Sequence, residues 1–138
     1  MKILRYMKRE ESKVFRIIHF EVPVSDPQKA SEFFTNVFGW NIKTHSGSWG
    51  SITTMETGAE SETGVNGSFF LKSTVPSDFW RIINSIEVDD LESILQRVKN
   101  NGGNIIFGPI QYANLGRMAY FRDPEGNILG LFEKKGGL

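Results

Sequence analysis

Two histidines, sixteen carboxylates and no cysteine set the chemistry open to this chain. His19 precedes Glu21 by two residues in an apolar run, and strand alternation puts both side chains on one face. A neutral imidazole facing an interior can orient a substrate oxygen or act as a general base near neutral pH. The commoner fate of such a histidine is a hydrogen bond within a packed core. His45 opens a Gly/Ser stretch, His45 to Gly50, which reads as a turn with an exposed imidazole. The missing cysteine removes disulfides, thiolate metal sites and a cysteine nucleophile, and it fits a reducing compartment. No glycine-rich phosphate loop leads from a strand into a helix, and no serine nucleophile elbow is present. Trp49, Phe70, Tyr120 and Phe132 are candidate aromatic walls for a small ligand, although plain packing is the usual role of any one of them. Arg117 and Arg122 flank a late strand, where they would meet an acidic ligand or serve as surface charges.

The elements that must position these residues follow from periodicity. Phe15–Val24 alternates as a strand, and Ser25-Asp26-Pro27 offers a helix start. Ala30, Phe33, Phe34, Val37 and Phe38 recur at helical spacing before Gly39 stops the helix. Strands are expected from Trp40, over Ser51–Glu56 and over Gly64–Leu71. The polar segment 72–79 reads as a linker. The pattern then restarts with a strand over Trp80–Val88 and a helix capped by Asp89-Asp90 and running to about Asn100. Strands follow over Asn104–Phe107, Arg117–Phe121 and Asn127–Glu133, with Gly108-Pro109 opening a connection.

The order β-α-β-β-β thus occurs twice. A shift of 64 positions lays Val24 on Val88, Asp26 on Asp90, Gly39 on Gly103 and Ile42 on Ile106 without a gap. The last strands match at a shift of 62, Gly64 onto Gly126 and Phe70 onto Phe132. Agreement of caps, glycines and strand starts favours a true repeat over chance. The expected class is α+β: two tandem βαβββ modules forming a curled, partly open mixed barrel with helices outside. Residues 1–13 read as an extension and 14–135 as one domain, with module one over 14–71, the linker over 72–79 and module two over 80–135.

Composition bounds partners. Sixteen basic residues balance sixteen acidic ones, and no basic patch suits nucleic acid. The apolar runs are too short to span a membrane and the start lacks a signal peptide's apolar core, so a cytoplasmic protein is expected.

The stretches His19–Ile42 (HFEVPVSDPQKASEFFTNVFGWNI), Ile86–Gly103 and Tyr120–Glu133 (YFRDPEGNILGLFE) resemble the vicinal oxygen chelate superfamily, which includes glyoxalase I, extradiol dioxygenases and bleomycin and fosfomycin resistance proteins. "VFGW" and "DPEGN" are the most specific pieces. Together with Gly64-Val65-Asn66-Gly67 they look like a glyoxalase-like branch whose members are described as lyases by prediction. The resemblance implies a homodimer and a cavity inside the sheet. It also implies four metal-ligand positions, on the first and last strands of each module. Here they carry His19, Ile83, Ser68 and Gly130. Only His19 matches, and one imidazole does not hold a divalent ion tightly.

A metal-independent small-molecule binding protein is therefore the leading expectation, with His19, Glu21, Trp49, Ser68, Phe70, Tyr120 and Phe132 as ligand contacts, no cofactor, and His19 the one catalytic candidate. The alternative is a lyase, isomerase or oxygenase with a divalent site rebuilt from His19, Glu21 and Glu87, although carboxylates at such positions more often sit in solvent at a barrel rim. A third reading fills the cavity with the protein's own aromatics. Whether the chain catalyses a reaction stays open at this level.

Overall fold

The structure is a computed structural model that describes residues 13–48 and 50–136. Among the described residues, eight strands form one curled, mixed sheet, with two helices on its outer face. The first module holds β1 (Ile17–Val24), α1 (Pro27–Phe38), β2 (Asn41–Gly47), β3 (Gly50–Glu56) and β4 (Asn66–Leu71). The second holds β5 (Ile83–Val88), α2 (Leu91–Asn100), β6 (Asn104–Tyr112), β7 (Gly116–Arg122) and β8 (Ile128–Lys134). The strand order, β2-β3-β4-β1-β5-β8-β7-β6, reads the same from either edge once the modules are exchanged.

The repeat found in the sequence is written into the ladders. β1 runs antiparallel to β5 with His19 opposite Ser85 and Glu21 opposite Ile83. Both pairs are exchanged by the 64-residue shift. β1 lies parallel to β4 with Glu21 opposite Ser68, and β5 lies parallel to β8 with Ser85 opposite Gly130. The 64-residue shift of the first strands and the 62-residue shift of the last strands together carry one pair onto the other. His19, Glu21, Ser68, Ser85 and Gly130 therefore share the concave face near the module boundary.

Each helix starts on the residue that the repeat aligns. The Asp26 carboxylate accepts from the Lys29 amide at 3.1 Å, and Asp90 accepts from Ser93 at 3.2 Å. Such a cap satisfies an amide that the first helical turn leaves without a partner. Under α2, Val88, Leu91, Leu95, Ala119 and Leu131 form one buried cluster. Under α1, Val24, Met55 and Phe69 form a second, with Phe34 stacked on Trp40 at 5.0 Å. Each large side chain so buried contributes about 1.5–3 kcal/mol.

Three sequence expectations change. β2 continues through Gly47, so His45 lies on a strand rather than in a turn, with Nε2 3.1 Å from the Thr54 hydroxyl. The threonine and serine pairs Thr44–Thr53 and Ser46–Ser51 bond across this polar hairpin and extend it. β5 begins at Ile83, not Trp80, because the Trp80 indole N–H donates to the Lys72 carbonyl at 3.0 Å and follows a 3-10 turn at Ser77–Phe79. β6 does not end at Phe107. Gly108 takes φ +83 at a shift in register, and pairing resumes from Ile110 to Tyr112. A Cβ there would stand 2.7 Å from the Met118 carbonyl, so only glycine lets the strand pass.

Candidate functional site

The concave face carries a set of polar side chains drawn from both modules. The His19 imidazole Nε2 lies 2.8 Å from the Ser68 hydroxyl. The Tyr120 hydroxyl donates to the Glu21 carboxylate at 2.7 Å, joining β7 to β1 across the module boundary. Ser68 is 1% exposed, Ser85 6%, Glu21 7% and Tyr120 9%. Tyr112, delivered by the continued β6, turns its hydroxyl toward Ser68 and stands within the field of Glu21. Among the described residues, no buried side-chain nitrogen or oxygen lacks a partner.

Burial sets the charge of this group. It lowers the His19 pKa from its ordinary value, which keeps the imidazole neutral. It raises the Glu21 pKa, and the Tyr120 hydrogen bond opposes that rise. Burial and then the Glu21 carboxylate push both phenols upward, so Tyr112 and Tyr120 stay protonated. A neutral imidazole, two phenols and two serine hydroxyls can donate or accept hydrogen bonds, and the site carries one acid.

Beside these groups lies a cavity of about 160 Å³. It is lined by Ile18, His19, Ser85, Leu115, Met118, Leu131 and Phe132, with Met118 and Phe132 giving apolar surface on the inner face and His19 and Ser85 as its polar members. Phe132 meets Tyr112 edge-on at 6.2 Å. Gly130 borders the same region: a Cβ there would stand 2.4 Å from the Ser85 Oγ and 3.3 Å from the Tyr120 ring.

The structure thus brings His19, Glu21, Ser68 and Tyr120 together, with Phe132 on the cavity wall. Phe70 packs instead beside Ile83, Tyr120 and Ile128 in an inner apolar cluster. Trp49 lies outside the described residues. Glu21 is not a rim carboxylate in solvent, because the Tyr120 hydroxyl compensates its burial. Glu87 does not join it. It sits four residues along β5 from the partner of Glu21, about 13 Å at strand spacing, and pairs with Phe132. Arg117 and Arg122 do not reach toward a ligand either. Arg117 contacts Glu92 at 2.7 Å and Glu133 at 3.4 Å, while Arg122 contacts Asp78 at 2.9 Å.

The family ligand positions can be tested on this geometry. A divalent cation needs three or four donors. Ile83 and Gly130 offer none, and the donors at His19 and Glu21 are engaged by Ser68 and Tyr120. Among the described residues, no three His, Asp or Glu side chains group closely enough to hold an ion. These residues do not fit such a metal.

Sequence reasoning missed Ser85, Tyr112 and Met118. The 64-residue shift lays Glu21 on Ser85 and would have found it. Tyr112 had no such signal, since Gly108-Pro109 reads as the end of a strand.

The comparisons with known proteins agree with the architecture. A family model described as Glyoxalase/Bleomycin resistance protein/Dioxygenase superfamily matches residues 16–131. The chain belongs to that superfamily. CFP32 of Mycobacterium tuberculosis is 25% identical over 119 residues, covering 82% of this chain and 43% of that protein. DnrV of Streptomyces peucetius, an anthracycline biosynthesis protein, is 25% identical over 127 residues, covering 83% of this chain and 46% of that protein. The chain spans less than half the length of these two curated relatives. The solved structure of protein BH1468 from Bacillus halodurans C-125 matches with a TM-score of 0.66 at 18% identity, over 88% of this chain and 96% of that one. No described helix is long and apolar enough to cross a membrane.

Proposed function

We propose that this superfamily member binds a small organic molecule in the cavity inside its curled sheet, without the metal site that the family resemblance implies. One observation carries the reading. Where ligands would converge on an ion, Ile83 and Gly130 offer no donor atom, and His19 is bonded to Ser68 beside a cavity lined mainly by apolar groups. Cavities of this composition bind by burying apolar surface, and a few fixed polar groups orient the guest. His19 and Ser85 supply that orientation. A relative named for anthracycline biosynthesis is consistent with a guest that has aromatic surface.

Filling the cavity tests the proposal. Met118→Trp is expected to abolish the thermal stabilisation that organic ligands from a screened library give the native chain. A Met118→Trp protein that folds and is stabilised as strongly as the native chain would refute it.

The homodimer belongs to the same proposal. Phe33, Val37 and Phe38 on α1 are each more than half exposed, apolar area that a second copy would cover. Sedimentation at micromolar concentration is expected to give twice the chain mass; a monomer would refute the pairing.

A further inference from the structure

We infer that the cavity selects an uncharged molecule with one aromatic ring bearing a hydroxyl or carbonyl group, and rejects carboxylates and phosphates. The inference rests on the proposed cavity binding and narrows it to a ligand class.

Volume sets the size. A dry cavity of about 150 Å³ lined by aliphatic and aromatic side chains accepts benzene. The cavity here is about 160 Å³, a volume that matches one ring. Met118 and Phe132 supply apolar and aromatic contact, and His19 and Ser85 supply hydrogen-bond partners for a single polar atom.

Charge sets the chemistry. Among the described residues, none that lines the cavity carries a guanidinium or an ammonium group. Both arginines of β7 are held by acids, Arg117 by Glu92 and Glu133 and Arg122 by Asp78. Lys43, on β2, lies 3.8 Å from Glu56 and more than half exposed. The nearest buried ionisable acid is Glu21, which shares the concave face with His19. An entering carboxylate would lose its hydration, gain no cation and approach Glu21. A buried charge without a partner is strongly disfavoured. A phenol or aryl ketone loses little, because the imidazole and the serine hydroxyl replace the water it gives up.

Methyl-labelled methionine gives a direct test. Met118 lines the cavity, while Met55 is fully buried beneath α1 and serves as an internal control. The native chain is titrated at neutral pH with 4-methylphenol, with 4-methylbenzoate and with p-xylene, and the methyl signals are followed by NMR. The expected result is a saturable shift at Met118, none at Met55, and 4-methylbenzoate at least about tenfold weaker than 4-methylphenol. p-Xylene is expected to bind more weakly than 4-methylphenol, since it offers no polar atom to His19 and Ser85. Equal or tighter binding of 4-methylbenzoate at Met118 overturns the charge selection while leaving cavity binding intact. Equal binding of p-xylene overturns the role of the hydroxyl. If no probe moves Met118, cavity binding itself fails, and this inference with it.

Discussion

Inside the curled sheet, Glu21 accepts a hydrogen bond from Tyr120, and the two residues come from different modules. The bond compensates a carboxyl that burial disfavours as an anion. Tyr120→Phe removes the donor and is expected to cost about 1–3 kcal/mol in urea denaturation. The pH dependence has a definite sign. The folded pKa of Glu21 is raised, so the native state holds its proton more tightly than the unfolded chain. The stability it contributes is present below the ordinary value of 4.5 and is lost as pH rises toward the raised folded value. His19 acts oppositely. Its folded pKa is lowered, so stability is present above 6.5 and is lost as pH falls toward the lowered folded value. The stability of the native chain relative to Glu21→Gln should therefore decline as pH rises from 4.5, read from unfolding midpoints at several pH values. A flat difference would show that Glu21 titrates alike in both states. Gly130 makes a separate prediction. Gly130→Ala places its Cβ against the Ser85 Oγ and is expected to destabilise by about 1–3 kcal/mol, and Ser85→Gly in the same chain should recover part of that loss. Additive costs in the double-mutant cycle would contradict the clash.

At the scale of elements, the repeat predicts equal treatment of equal positions. Asp26 and Asp90 cap their helices through the same atom and the same spacing. Replacing either by Ala is expected to cost about 0.5–2 kcal/mol, and similar values in the two helices would support the repeat energetically. Helices and first strands were legible because caps, glycine stops and apolar stripes are local signals. Strand ends were less so. Trp80 belongs to a strand by residue type, yet its indole is held by Lys72 and leaves the ladder. His45 stands among glycines and serines that suggest a turn, but cross-strand hydroxyl pairs keep them in β2. Gly108 and Pro109 suggest an ending, yet the register shift carries β6 on to Tyr112. That one misread boundary hid a phenol of the site. Glu21 was legible as facing inward with His19, but its partner Tyr120 is 99 residues away in sequence. No periodicity links them.

At the scale of the whole molecule, duplication divides labour. The outer face of each module builds an apolar core under its own helix, while the inner faces meet at β1 and β5 and share one polar group and one cavity. Neither module holds the site alone: Glu21, His19 and Ser68 come from the first, and Ser85, Tyr112 and Tyr120 from the second. The four positions that the resemblance implies for an ion lie on the inner face, and three of them carry serine, isoleucine and glycine. The most direct test is the thermal stability of untagged, chelator-treated protein, measured with 4-methylphenol and separately with a panel of divalent cations. The account predicts that 4-methylphenol raises the melting temperature, by an amount that corresponds to about 2.7 kcal/mol at one hundred times Kd, and that the cations do not. Stabilisation by a divalent cation, with no effect of 4-methylphenol until that cation is restored, would contradict it.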